Sequence, residues 1–136
     1  MLLAFFLWFQ GHDPIVVTAN PHSKDPIEIP WATSLLDKEA LSSGRSFSES
    51  LRALPGVMVQ KTAYGQSSPY LRGLTGYHNL LLVDGIRLNH SAFRAGPNQY
   101  WSTLDALALE RVEMVRGPAS VFYGSDSIGG TVNALT

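Results

Sequence analysis

The segment Gly124-Ser-Asp-Ser-Ile-Gly129-Gly130-Thr131 comes nearest to a chemical motif. It approaches a phosphate-binding loop, in which a Lys after the second Gly reaches the β and γ phosphates. Here Gly130 holds that position, so the main attractive charge is missing. The plainer reading is a tight turn whose small residues pass close to another surface. The histidines are His12, His22, His78 and His90. They share no i, i+4 spacing, and a catalytic zinc site commonly takes three protein ligands. No Gly-x-Ser-x-Gly elbow marks a nucleophilic serine. Glu110 and Glu113 flank Arg111 and are expected to pair with it or with Arg116, as structural charges do more often than catalytic ones. No catalytic residue is assigned, no metal site is assigned, and the chain is not expected to be an enzyme.

Two loops carry a different chemistry. Residues 63–69 and 89–101 are rich in Tyr, Trp, Phe, Gln, Asn and Ser, with one Arg. Aromatic rings supply contact area, and amides and hydroxyls supply directional hydrogen bonds. This composition suits recognition of a ligand; it also suits a loop that is merely polar.

Composition bounds what must position these loops. The chain has 136 residues, a net charge of −1, 15% charged residues and no Cys. That length is one domain. A near-neutral charge argues against a nucleic-acid binder, and the lack of Cys excludes a disulfide scaffold and a thiolate zinc site. Met1–Phe9 is apolar but shorter than the roughly 20 residues that span a bilayer as a helix. Residues 1–11 read either as a degenerate export signal or as a start segment that is no signal.

Residues 12–30 form a lead punctuated by Pro14, Pro21, Pro26 and Pro30, with one β-branched run, Ile15-Val16-Val17-Thr18-Ala19. Leu35, Leu36 and Ala40 are expected to line a short helix ended by Ser42-Ser43-Gly44. Ser46-Phe-Ser-Glu49 fits a capping box, with Phe47, Leu51 and Leu54 on one face and Pro55-Gly56 as the stop. Val57–Lys61 and Tyr70–Arg72 read as strands separated by a loop. Leu80–Val83 and Ile86–Leu88 flank Asp84-Gly85, a type I′ hairpin signal. Leu109–Val115 alternates without a cleanly apolar side, and Arg111, Glu113 and Arg116 would make a polar stripe. Ala119–Tyr123 reads as a short helix and Thr131–Thr136 as a strand. The fold class is α+β: a small mixed β-sheet with short helices and long loops.

Taken in order, several of these motifs resemble one family. Asp13-Pro14 with Ile15–Ala19 resembles a TonB box. Leu54-Pro-Gly-Val57, Leu71-Arg-Gly73, the hairpin Leu82-Val-Asp-Gly-Ile-Arg-Leu88, Glu110–Ser120 and Tyr123–Asn133 resemble motifs of the plug domain of TonB-dependent outer-membrane receptors. The resemblance covers about Asp13 to the end. It implies a plug over residues 31–136, seated in a barrel of about 22 strands. Such a barrel lies outside 136 residues, and the chain is expected to stop at Asn133–Thr136 where the first barrel strand begins.

The resemblance further implies a Gram-negative outer membrane and a periplasmic TonB box. Asp13, Pro14, Ile15, Val16, Val17, Thr18 and Ala19 would add a strand to TonB. No cofactor would be bound permanently; the cargo would be a ferric siderophore, haem or cobalamin. Tyr64, Gln66, Ser67, His90, Phe93, Arg94, Tyr100 and Trp101 would face that substrate from apical loops, with His90 as a haem-iron ligand. Arg72, Glu110, Arg111, Glu113 and Arg116 would form a charged cluster between plug and barrel. The alternatives are a free-standing periplasmic binding or signalling module with a plug-like fold, and a nucleotide-binding enzyme.

Overall fold

The computed structural model describes residues 30–63, 65–89 and 99–136, and the side chains of Gln99 and Tyr100 lie outside that description. The TonB-box segment, Tyr64, His90, Phe93 and Arg94 therefore fall outside the described residues. The frame is a five-stranded mixed sheet. Its strands are β1 (Ala32–Asp37), β4 (Asn79–Val83), β5 (Ile86–Arg87), β6 (Arg111–Arg116) and β7 (Gly130–Leu135), in the order β1-β6-β7-β4-β5. β4 and β7 are parallel and the other pairings are antiparallel. A separate hairpin joins β2 (Val57–Ala63) to β3 (Gln66–Leu71). The short helices are α1 (Lys38–Ser43), α2 (Phe47–Ser50) and α3 (Ser120–Tyr123). The fold is α+β, as its sequence pattern implies.

Register assigns the two sheet faces. Leu36, Val112, Ala134 and Val83 lie in one cross-strand row, and Met114, Val132 and Leu81 in the next on the same face. With Leu41, Phe47, Leu51, Leu71, Trp101 and Leu109 they form the main core. The opposite face carries Leu35, Glu113, Asn133 and Leu82 in one row. Val115 there packs with Trp31 and Leu35, and Phe122 of α3 meets Trp31 edge-on at 5.2 Å. Four of the five β4 residues are buried, which explains its unbroken apolar run. β6 is likewise buried through its middle, Val112–Val115. The expected stripe of Arg111, Glu113 and Arg116 is therefore split, because side chains alternate faces: Arg111 and Glu113 share one and Arg116 takes the other.

Several local expectations change. Residues 32–37 are a strand, not part of a helix; pairing along all six positions with β6 outweighs their weak intrinsic pattern. The helix starts at Lys38, where the Asp37 side chain accepts from the Ala40 amide at 2.9 Å. Ser46 does precede α2, but its side chain makes no capping bond, and Glu49 instead meets Lys61 at 3.4 Å. The polar stretch 66–69 is strand β3, paired with 59–63. Asp84 and Gly85 adopt φ of 48° and 81°, as the hairpin signal requires.

Candidate functional site

The tip of the β2–β3 hairpin and the turn at Gln99–Thr103 approach one another. Gln66 is exposed near that tip. Ser67 is not: it is 3% exposed, and its hydroxyl meets those of Ser48 and Ser102, the latter at 2.8 Å. Trp101 is 1% exposed and stacks on Phe47, with ring centroids 6.3 Å apart. Both residues were expected to face substrate. Both are instead buried in the protein. Trp101 fills the core because a large ring gains more by leaving water than by lining a surface. Beside them opens a cleft of about 590 Å³, whose walls include Arg45, Ser46, Gly65, Ser102, Thr103 and Asp105. Its lining from the α1–α2 corner, residues 42–46, had no sequence signal. Only the folded chain brings that corner beside Gly65.

The charged residues form two groups instead of one cluster. Glu113 is fully buried, and Arg111 Nε donates to its Oε1 at 3.1 Å. Tyr123 of α3 feels that carboxylate: burial first, and the Glu113 charge second, push its hydroxyl above the ordinary value of 10.0. Glu110 is exposed at the foot of β6. The second group lies at the other end. Arg116 donates to the Pro55 carbonyl at 3.0 Å, and its buried Nε has no partner among the described residues. Arg72 sits in a two-residue turn closed by Leu71 and Leu74, with φ of 53°. A Cβ on Gly117 would lie 3.1 Å from Arg72 Nη1. Among the described residues, neither Arg72 nor Arg116 has a carboxylate within salt-bridge distance.

The glycine-rich segment is turned into the protein. Gly129 and Gly130 are buried. A Cβ on Gly129 would stand 2.3 Å from Asn79 Oδ1, and one on Gly130 2.7 Å from the Val115 carbonyl. These glycines allow the starts of β4 and β7 to pack together; they do not cradle a phosphate. Two clasps then hold the hairpin of β4 and β5, one to α3 and the turn after it, the other to the end of the chain beyond β7. Arg87 donates to the carbonyls of Tyr123 and Ser125, both at 2.6 Å, and meets Asp126 at 3.2 Å. The Asp84 carboxylate accepts from the Thr136 amide at 2.9 Å and hydroxyl at 2.7 Å, which holds it below the ordinary carboxylate value of 3.8. Among the described residues no group of three or more His, Cys, Asp or Glu converges to hold a metal, and no helix is long and apolar enough to cross a membrane.

This geometry can be set against known proteins. Residues 25–131 match the family model of the TonB-dependent receptor plug domain. The chain belongs to that family. It is 34% identical over 129 residues to the vitamin B12 transporter BtuB of Photobacterium profundum, covering 93% of this chain and 21% of that protein. Among solved structures, FpvA of P. aeruginosa bound to a heterologous pyoverdine–iron complex superposes with a TM-score of 0.71. The identity is 25%, over 89% of this chain and 16% of that one. The siderophore receptor PirA of Acinetobacter baumannii gives a TM-score of 0.60 at 30% identity, over 76% of this chain and 17% of PirA. The chain thus spans between about one sixth and one fifth of these relatives. The first is named a transporter and PirA a siderophore receptor.

Proposed function

We propose that this plug serves an energy-coupled importer in the outer membrane of a Gram-negative bacterium. In that role it sits inside a β-barrel, and its lead, residues 12–30, hangs into the periplasm. The observation that carries the reading is the match over residues 25–131 to the plug family together with the mixed sheet it describes. The cargo is a cobalamin-type molecule, haem or a ferric siderophore. The likeness to a vitamin B12 transporter and to siderophore receptors supports that class. Tyr64, Gln66, His90, Phe93, Arg94 and Tyr100 are the residues we assign to the cargo, with His90 free to ligate haem iron. Of these, Gln66 is exposed next to Gly65, which lines the 590 Å³ cleft. Asp13–Ala19 is assigned to TonB. Its β-branched run suits addition to a partner's sheet edge, where backbone bonds supply affinity.

Arg72 and Arg116 are the best-placed contacts to the barrel, since both present guanidinium groups without a carboxylate of their own among the described residues. Arg111 and Glu113 satisfy each other and act within the plug.

The cargo assignment is tested by titrating the chain with cyanocobalamin, haemin and a ferric hydroxamate siderophore, followed by calorimetry. Saturable binding of one of them, weakened about tenfold or more by Gln66→Ala or Arg94→Ala, supports it, since a lost directional contact of about 1.4 kcal/mol is a factor of ten. Binding that ignores both substitutions overturns the assignment of these loops.

A further inference from the structure

The bases of the two cargo loops are joined by side chains. Ser67 follows the β2–β3 tip, and Ser102 belongs to the turn that ends the second loop. Their hydroxyls stand 2.8 Å apart across 35 positions of sequence. The Ser67 hydroxyl also bonds Ser48 of α2, 19 positions away. Local sequence gives these three residues no reason to meet. On either side of this chain the next residues, Phe47 and Trp101, stack nearly parallel at 17°. Ser48 and Ser67 are buried, whereas Ser102 is half-buried and lines the cleft. The three hydroxyls thus run from a surface cleft to the inside of α2.

A serine hydroxyl has one proton to donate and lone pairs to accept with. With neighbours on both sides, Ser67 donates to at most one of them and accepts from at least one. Its orientation therefore depends on what Ser102 does at the cleft. Breaking the middle link leaves a buried hydroxyl unsatisfied, which costs more than the bond itself was worth.

We propose that Ser67 is a positioning residue that makes the two cargo loops and α2 respond as one unit. This rests on the assignment of those loops under Proposed function. A ligand engaging the hairpin tip at 65–68 is then registered at the turn 101–103, and at α2, without touching them.

Amide hydrogen exchange on the 136-residue chain tests this. In Ser67→Ala, exchange is expected to quicken about fivefold in 65–68, 99–104 and 46–50 together, the scale of one buried hydrogen bond. The strands 111–116 and 130–135 are expected to keep their protection. Ser102→Ala removes the link from its half-exposed end, where folding is least at risk. It is expected to quicken 65–68 as well, and the double variant to exceed neither single one by more than a small margin. A Ser102→Ala effect confined to 99–104, or additive singles, overturns the proposal. If Ser67→Ala loosens 111–116 too, the chain has lost its fold, and Ser102→Ala alone decides. Cyanocobalamin, haemin and a ferric hydroxamate siderophore are then added to the parent chain. Coupling in the variants with protection by none of these upholds the proposal and sinks the cargo assignment. Protection of 65–68 alone by a bound ligand sinks the coupling.

Discussion

Glu113 has no solvent exposure and is held by Arg111 at 3.1 Å. Breaking such a pair from one side leaves a buried charge, so the carboxylate is felt by its neighbours. Glu113→Gln is expected to lower the Tyr123 pKa toward, but not to, 10.0, because burial is the larger cause of its elevation. An NMR titration of the Tyr123 ring checks this; no change would mean the carboxylate does not reach it. The sign for stability follows from the raised pKa. Neutral Tyr123 contributes fully below about pH 10 and the contribution is lost as pH climbs through the folded-state value. Asp84 behaves oppositely. Its contribution is present above 3.8 and fades as pH falls through its lowered value. The Thr136 amide shift is expected to follow that titration, and Asp84→Asn to abolish the pH dependence. Single residues were only partly legible. Asp84-Gly85 announced its turn because only a few residues tolerate positive φ. Trp101 and Ser67 were not legible, since an aromatic or hydroxyl in a polar stretch has the same type whether it faces a ligand or supports the loop beneath.

Elements show why neighbouring sequences differ in legibility. The hairpin of β4 and β5 was plain from one apolar run and its turn. β1 was hidden, because Ala32–Asp37 has little strand character of its own and becomes a strand by pairing with β6. The end of β3 was read at Tyr70-Leu71, but its start at 66–69 was hidden for the same reason, its Gln, Ser and Pro residues being poor strand formers that pair with β2. The start of β7 is a tight junction between elements. Gly130→Ala would place a Cβ 2.7 Å from the Val115 carbonyl and 2.9 Å from Leu71 Cδ1. It is expected to destabilise the chain by about 1–3 kcal/mol, the usual cost of overpacking, seen as a lower urea midpoint. Gly65→Ala meets nothing within 4 Å and is expected to leave the midpoint within about 0.5 kcal/mol of the parent. Equal midpoints for the two variants would contradict the packing described at β7.

At the scale of the chain, residues 25–131 match the plug family, and the sheet order is β1-β6-β7-β4-β5. The motif order along the chain by itself points to that family. The corner at residues 42–46 and the cleft it lines did not show, because they arise from elements distant in sequence. The central claim is that this plug couples to TonB through Asp13–Ala19. Calorimetric titration of the chain with the C-terminal domain of TonB tests it most directly. The account predicts saturable binding that Val17→Pro abolishes, since proline removes a backbone donor from the added strand. Binding unchanged by Val17→Pro, or no binding by the parent chain, would contradict it.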